Sequence, residues 1–288
     1  MRVLVLGAAG FIGARLARTL QQQGLLGRNG EPTRQIDELV LADARPVSGE
    51  RMPGFAGAVE VRQGDICSPA FQEELFKAGF DVVFHLAAAL TLDAEVDFAK
   101  GMEVNVHALM RLLERCRAQA RPPAFVFASS ISTFGGPLPD VVDDEVAQRP
   151  QTSYGTHKAI AELLINDYSR RGFIDGRVLR LPIVLTHPGP STASVSDRIA
   201  ALIREPLSGR DVVCPVAADT RFPVASVGQV ARALLAMLAL PEDALGGGRI
   251  IIGMSLLCFA PECIKNPQAP QRQHFTDRQG EHRGNKDH

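Results

Sequence analysis

The chain has 288 residues, 22% of them charged, and a formal net charge of −1. That balance argues against a nucleic-acid backbone as partner, which needs clustered positive charge. No apolar run reaches the roughly 18 residues that mark a membrane-spanning helix.

Five cysteines (67, 116, 214, 258 and 263) are widely spaced and odd in number. They suit neither a disulfide framework nor a metal-ligand set, so a reducing, cytoplasmic setting without a metal is expected. The first residues, "MRVLVLGAAGFIG", superficially resemble a signal peptide. Glycines break the apolar run, however, and no small-residue cleavage site precedes "ARLARTL".

In chain order, short β-rich runs alternate with longer helical ones. "RVLVLG" (2–7) predicts a strand, followed by a helix over 11–24. "DELVLAD" (37–43) and "VEVRQGD" (59–65) predict a second and a third strand, with "LLGRNGEPTRQ" as a polar insertion before the second. The helix "PAFQEELFKAG" leads to the strand "DVVFHLAA" (81–88), and a long helical stretch covers 96–119. "AFVFASS" (124–130) is a fifth strand; a helix running from "SYGTHK" through "AIAELLINDYSRRG" precedes a sixth, "RVLRLP" (177–182). Continuous Val, Leu and Phe runs suit strands covered on both faces. Six such units predict an α/β fold, a doubly wound parallel sheet of Rossmann type over residues 1–186.

From about 187 the character changes. A turn-rich "HPGPSTAS", a helix over 196–205, short strands at "DVVCPV" and "TRFPVA", and the helix "SVGQVARALLAMLAL" predict a small C-terminal substrate lobe over 187–253. Residues 254–288 are polar, rich in Gln, Arg, His and Pro after Ile264, and predict a disordered tail. His274, His282 and His288 lie too far apart in sequence for a compact ligand set.

The chemistry begins at "GAAGFIG". Gly7 permits a sharp turn after the first strand, Gly10 lets backbone approach a pyrophosphate, and Gly13 lets the helix pack close. The N–H groups at Phe11, Ile12 and Gly13 open a helix N-terminus that suits phosphate. Asp43, at the end of the second strand, is placed to accept from an adenosine ribose and to repel a 2′-phosphate, which favours NAD; Arg45, two residues on, softens that preference. Asp65 and Ile66 close the third strand where an adenine amine can bond. Leu86, Ala87 and Ala88 are small or flat enough to let a cofactor pass. His85 reads as a satisfied core histidine.

The chain holds two tyrosines and five lysines, and one of each stands four residues apart in "SYGTHK". Tyr154 and Lys158 then share a helix face. A phenol with a pKa near 10 is a poor base at neutral pH, and a neighbouring ammonium is expected to lower it. Ser130, in "FASSIS", is placed to hydrogen-bond the oxygen that Tyr154 protonates or deprotonates. Beside a dinucleotide turn, this set points to hydride transfer at a secondary alcohol.

GAAGFIG, Asp65, HLAAA, Asn105 in "VNVHAL", SSIS and YGTHK together resemble an extended short-chain dehydrogenase/reductase of the NAD-dependent epimerase/dehydratase group, over about residues 1–252. The resemblance implies NAD as cofactor and a catalytic set of Ser130, Tyr154 and Lys158, with Asn105 from the long helix. Longer strings, among them "FGGPLPDVVDDE" and "IREPLSGRDVVCPV", are similar to members that oxidise the C2 hydroxyl of a four-carbon sugar acid to the 2-oxo acid. Arg221 in "DTRF" stands where relatives contact a substrate phosphate and is expected to pair with a substrate carboxylate. Arg180 is a second, weaker candidate, for which a structural ion pair is the favoured reading. The likeness also suggests a homodimer through the helices near 96–119 and 152–171. After "RIIIG" the chain departs from the family pattern, which continues there with a further helical segment. Two alternatives stay open: a nucleotide-sugar epimerase or dehydratase, and an NAD(P)-binding protein without catalysis.

Overall fold

Nearly every residue of the first strand is buried, and its side chains divide between two cores. Val3 and Val5 pack on one side, Leu4 and Leu6 on the other, as a strand covered by helices on both faces requires. The computed structural model describes residues 1–143, 145–185, 195–213, 220–245, 250–252 and 255–258.

In chain order the strands are β1 (Arg2–Leu6), β2 (Leu25–Leu26), β3 (Arg34–Gln35), β4 (Glu38–Asp43), β5 (Ala58–Gln63), β6 (Val82–His85), β7 (Ala124–Ser130), β8 (Asp175–Leu181), β9 (Ile183–Leu185), β10 (Arg221–Ser226), β11 (Ile250–Ile252) and β12 (Ser255–Cys258). The α-helices are α1 (Phe11–Gln23), α2 (Pro69–Phe76), α3 (Thr91–Val96), α4 (Phe98–Met102), α5 (Ala108–Arg117), α6 (Ser153–Arg170), α7 (Val195–Leu207) and α8 (Val227–Ala239).

Seven parallel strands form the main sheet in the order β11-β8-β7-β6-β1-β4-β5. All six strands expected from the sequence are in it. The chain winds one way from β1 to β5 and the other way from β6 onward, so the order reverses between β1 and β6. In such sheets ligands bind at the carboxyl ends of the strands beside that reversal. Helices α1 and α8 cover one face through Leu16, Leu20, Leu234 and Leu238. Helices α2, α5 and α6 cover the other through Leu75, Leu109, Leu112 and Ile165.

The long helix expected over 96–119 is interrupted. Residues Glu103–His107 form a π-helical turn between α4 and α5, an irregularity that tends to mark functional positions. The polar insertion before β4 forms the β2–β3 hairpin, whose tip reaches the C-terminus of α8. Asn29 and Gly30 donate backbone N–H groups to Leu238 and Ala239 carbonyls at 3.0 and 2.8 Å.

Beyond β8, a second sheet runs β12-β10-β9, with β10 parallel to β9 and antiparallel to β12. Leu185, Ala200 and Val224 form its small core with Ile183, Ile203 and Phe222. The helix expected over 196–205 is α7, and "TRFPVA" lies in β10. The strand expected at "DVVCPV" is not formed over 211–213, and the rest of it lies outside the described residues. Residues 255–258, read from sequence as tail, pair with β10 instead. A run of Ser, Leu, Leu and Cys can extend a sheet edge, unlike the polar sequence after it. The remainder of that tail, with His274, His282 and His288, lies outside the described residues.

Candidate active site

Because the main-sheet strands are parallel, their carboxyl ends lie along one edge, and the sequence-predicted residues gather there. Gly7 follows β1 with φ +84°, in the left-handed region, and a Cβ on it would lie 2.7 Å from the Ala87 nitrogen. Gly13 lies under the turn: a Cβ there would sit 2.1 Å from the Gly7 carbonyl oxygen. Gly10 caps α1, no side chain caps that terminus, and its first turn carries no acidic residue. A Cβ on Gly10 would meet only Gly7 at 3.1 Å and the Arg45 guanidinium at 3.8 Å. The turn is therefore tight beneath, and Gly10 brings no side chain over it ahead of Phe11, Ile12 and Gly13. This cradle fits the phosphates of a dinucleotide.

Asp43 ends β4 beside the turn. Its Oδ2 accepts from the Ala9 N–H at 3.0 Å and its Oδ1 from the Arg45 N–H at 2.9 Å. The exposed Arg45 side chain reaches back to the same carboxylate at 3.5 Å. Asp65 is exposed after β5 and accepts from the Cys67 N–H at 2.8 Å, while Ile66 is half-buried against the core. Leu86, Ala87 and Ala88 follow β6, half-buried, with Leu86 donating its N–H to Leu6 at 2.9 Å.

Tyr154 and Lys158 stand in the first turns of α6. Thr152 caps that helix by accepting from the Gly155 N–H at 3.0 Å. A Cβ on Gly155 would lie 2.0 Å from the Ser132 carbonyl oxygen, so only glycine lets α6 abut the turn after β7. That approach sets the Tyr154 phenol beside the Ser130 hydroxyl. Ser130 accepts from the Ser132 N–H and donates to the Ser132 hydroxyl, both at 3.1 Å. Lys158, 4% exposed, donates from Nζ to the Ala128 carbonyl at 2.7 Å. Its Nζ lies 4.3 Å from the Phe127 ring centroid and 5.5 Å from that of Tyr154.

The electrostatics depart from the expectation that Lys158 lowers the phenol pKa. Burial pushes Tyr154 up to about 12, against a smaller lowering by the Ser130 hydroxyl. Burial likewise draws Lys158 down to about 7, opposed by Glu162. Desolvation disfavours each charged form more strongly than the partner restores it. His85 is a core residue stacked on Phe127 and tilted against Phe125, with a pKa lowered to about 3 by burial and then by Lys158. It is not fully satisfied: Nδ1 has no hydrogen-bond partner among the described residues.

Asn105 occupies the π-helical turn and is buried. Its Oδ1 accepts from the Ala89 N–H, and its Nδ2 donates to the Ala89 carbonyl, each at 2.9 Å. Nδ2 also lies 3.3 Å from His157 Nδ1. The amide is thus engaged in fastening the segment after β6. Arg180 is 4% exposed and paired with Glu162, Nη2 to Oε2 at 2.8 Å, as the structural-pair reading expects. Arg221 is exposed at the start of β10, opposite Cys258 of β12. No contact joins it to Ser130, Tyr154 or Lys158 among the described residues.

Sequence reasoning missed Glu162, Ser129 and Gln148, which meet beneath Lys158, and missed Gly155. Glu162 carried a signal: a carboxylate four residues past Lys158 on an otherwise apolar helix face.

Residues 3–253 match the NAD dependent epimerase/dehydratase family. The chain is 43% identical to the D-erythronate dehydrogenase of Cupriavidus necator, over 87% of this chain and 76% of that protein. It is 39% identical to the D-erythronate dehydrogenase of Haemophilus influenzae, over 84% and 73%. Among solved structures, the nucleoside-diphosphate-sugar epimerase from Agrobacterium tumefaciens superposes with a TM-score of 0.82 at 37% identity. That match covers 90% of this chain and 75% of the other.

Proposed function

The chain belongs to the NAD dependent epimerase/dehydratase family, and from that premise we propose that it oxidises the C2 hydroxyl of a short sugar acid, D-erythronate, to the 2-oxo acid. The meeting of the Tyr154 phenol, the Ser130 hydroxyl and the buried Lys158 amine carries this reading. NAD is the cofactor, and when bound it accepts the hydride from C2. The glycine turn of Gly7, Gly10 and Gly13 holds its phosphates, Asp43 its adenosine ribose, and Asp65 with Ile66 its adenine. Leu86, Ala87 and Ala88 form the floor over which it lies.

Ser130 donates to the substrate hydroxyl oxygen and orients it toward Tyr154. Tyr154, as phenolate, takes the hydroxyl proton at Oη, and the C–O bond becomes a carbonyl as the hydride leaves. Lys158 supplies the positive charge that the phenolate needs. Asn105 acts at one remove by holding the Ala89 backbone. Arg221, exposed at the start of β10, pairs with the substrate carboxylate, where a bidentate contact fixes orientation. Helices α5 and α6 form the contact of a homodimer.

The test is NADH formation by the purified chain over a panel of four-carbon aldonates. Tyr154→Phe is expected to lower kcat by about 10²–10⁴-fold, the usual worth of a positioned acid–base group, with NAD affinity nearly unchanged. Turnover surviving in that variant would remove Tyr154 from its role. The likeness to a nucleoside-diphosphate-sugar epimerase favours one competing reading. Conversion of a UDP- or GDP-sugar without NADH release would support it.

A further inference from the structure

Glu162 is fully buried, yet no part of the reaction described above uses it. It stands two helical turns beyond Tyr154 and one beyond Lys158, so the three lie along one face of α6. Every contact to its carboxyl group comes from a donor. Oε1 accepts from the Ser129 hydroxyl and from Arg180 Nε, the latter at 3.1 Å. Oε2 accepts from Gln148 Nε2 at 2.7 Å, Arg180 Nη2 at 2.8 Å and Arg180 Nε at 3.1 Å. Two strands, β7 and β8, and a loop thus converge on this one side chain. Such an arrangement suits an ionised, acceptor-only carboxylate.

Arg180 alone does not account for the placement. Two buried cations, Arg180 and Lys158, share this one anion. The groups around Lys158 are Tyr154 and Glu162 from α6, the Ala128 carbonyl and Phe127 ring from β7, and His85 from β6. Arg180, from β8, bonds to the Glu162 carboxylate. Lys158 disfavours the charged form of His85, and Glu162 is the charge in this set that favours the Lys158 ammonium. With both cations charged, the cluster carries one excess positive charge, which ionisation of Tyr154 would neutralise.

We propose that Glu162 is the positioning residue of the proton-transfer site, a fixed anion that keeps the Lys158 amine charged so that Tyr154 can ionise. Ser129, Gln148 and Arg180 hold that anion in place. The inference rests on the dehydrogenase reading for the role of Lys158, but not for its test.

The chain contains only five lysines, so ε-¹³C-lysine labelling gives few resonances, and Lys158→Arg identifies the one that matters. In Glu162→Gln the Lys158 midpoint is expected to fall by about one pH unit or more, tenfold in the protonation equilibrium. Glu162→Asp is expected to restore part of that fall. An unchanged midpoint in folded Glu162→Gln, as a purely structural partner of Arg180 would give, overturns the proposal. A second measurement needs no variant. In the unaltered protein the assigned Glu162 carboxyl carbon should shift in step with Lys158, and its indifference to that titration equally overturns the proposal. Neither readout requires substrate. Absence of NADH formation with the titration as expected would therefore defeat the dehydrogenase reading alone.

Discussion

At the scale of single residues, burial decides the chemistry of this edge. His85 has the clearest consequence for stability. Its folded pKa of about 3 lies below the ordinary value of 6.5, so between those values the unfolded chain binds a proton that the folded chain refuses. Stability is then lost as pH falls through that window, by up to about 1.4 kcal/mol per pH unit. His85→Phe keeps a ring against Phe125 and Phe127 without the titrating group. Its thermal midpoint is expected to drop less than that of the unaltered chain between pH 6.5 and 4, under the same buffers. Equal acid slopes would locate the extra proton elsewhere. Gly155 acts through shape rather than charge. Gly155→Ala must push α6 away from the Ser132 carbonyl, and an ångström of displacement at a reacting group costs about 10²-fold. A fall of that order in kcat, with NAD binding at the distant glycine turn little changed, is the expected result in steady-state and binding measurements.

At the scale of elements, the attachment of α8 shows how a buried charge can serve the frame. Arg177, on β8, is fully buried and donates from Nη1 to the carbonyls of Met237, at 2.7 Å, and Leu240 at the end of that helix. It is also paired with Asp175 at 3.2 Å. A cation at a helix C-terminus meets both unsatisfied carbonyls and the negative end of the dipole. Arg177→Gln leaves these acceptors short of donors and is expected to cost about 3 kcal/mol, the scale of a broken buried pair. The midpoint of urea unfolding would report it. The six core strands were legible because apolar runs of this length have few alternatives. The π-helical turn at Glu103–His107 was not, since it is a change of backbone bonding that the residue types of "EVNVH" do not specify. Its effect is seen only in where Asn105 points, at the backbone of Ala89.

For the whole molecule, two surfaces of α5 and α6 carry exposed apolar side chains, Met110 at 46% and Leu163 at 66%. The two helices pack against each other. With the homodimer proposed above, light scattering should give twice the chain mass, and Leu163→Glu should shift it toward one chain. A single-chain mass for the unaltered protein would remove the dimer. Among the described residues, no helix is long and apolar enough to cross a membrane.

The amino-acid sequence by itself determined the parallel sheet, the glycine turn and the pairing of Tyr154 with Lys158, because each depends on local spacing along one strand, turn or helix. Only the tertiary structure decided the electrostatic balance. Whether Lys158 lowers the phenol depends on how much water each group loses, and water is excluded by side chains far apart in sequence. The same holds for Glu162, whose partners Ser129, Gln148 and Arg180 come together only once β7, α6 and β8 have packed. "SYGTHK" announces a proton-transfer pair, and the packed interior sets the charge that the pair can carry.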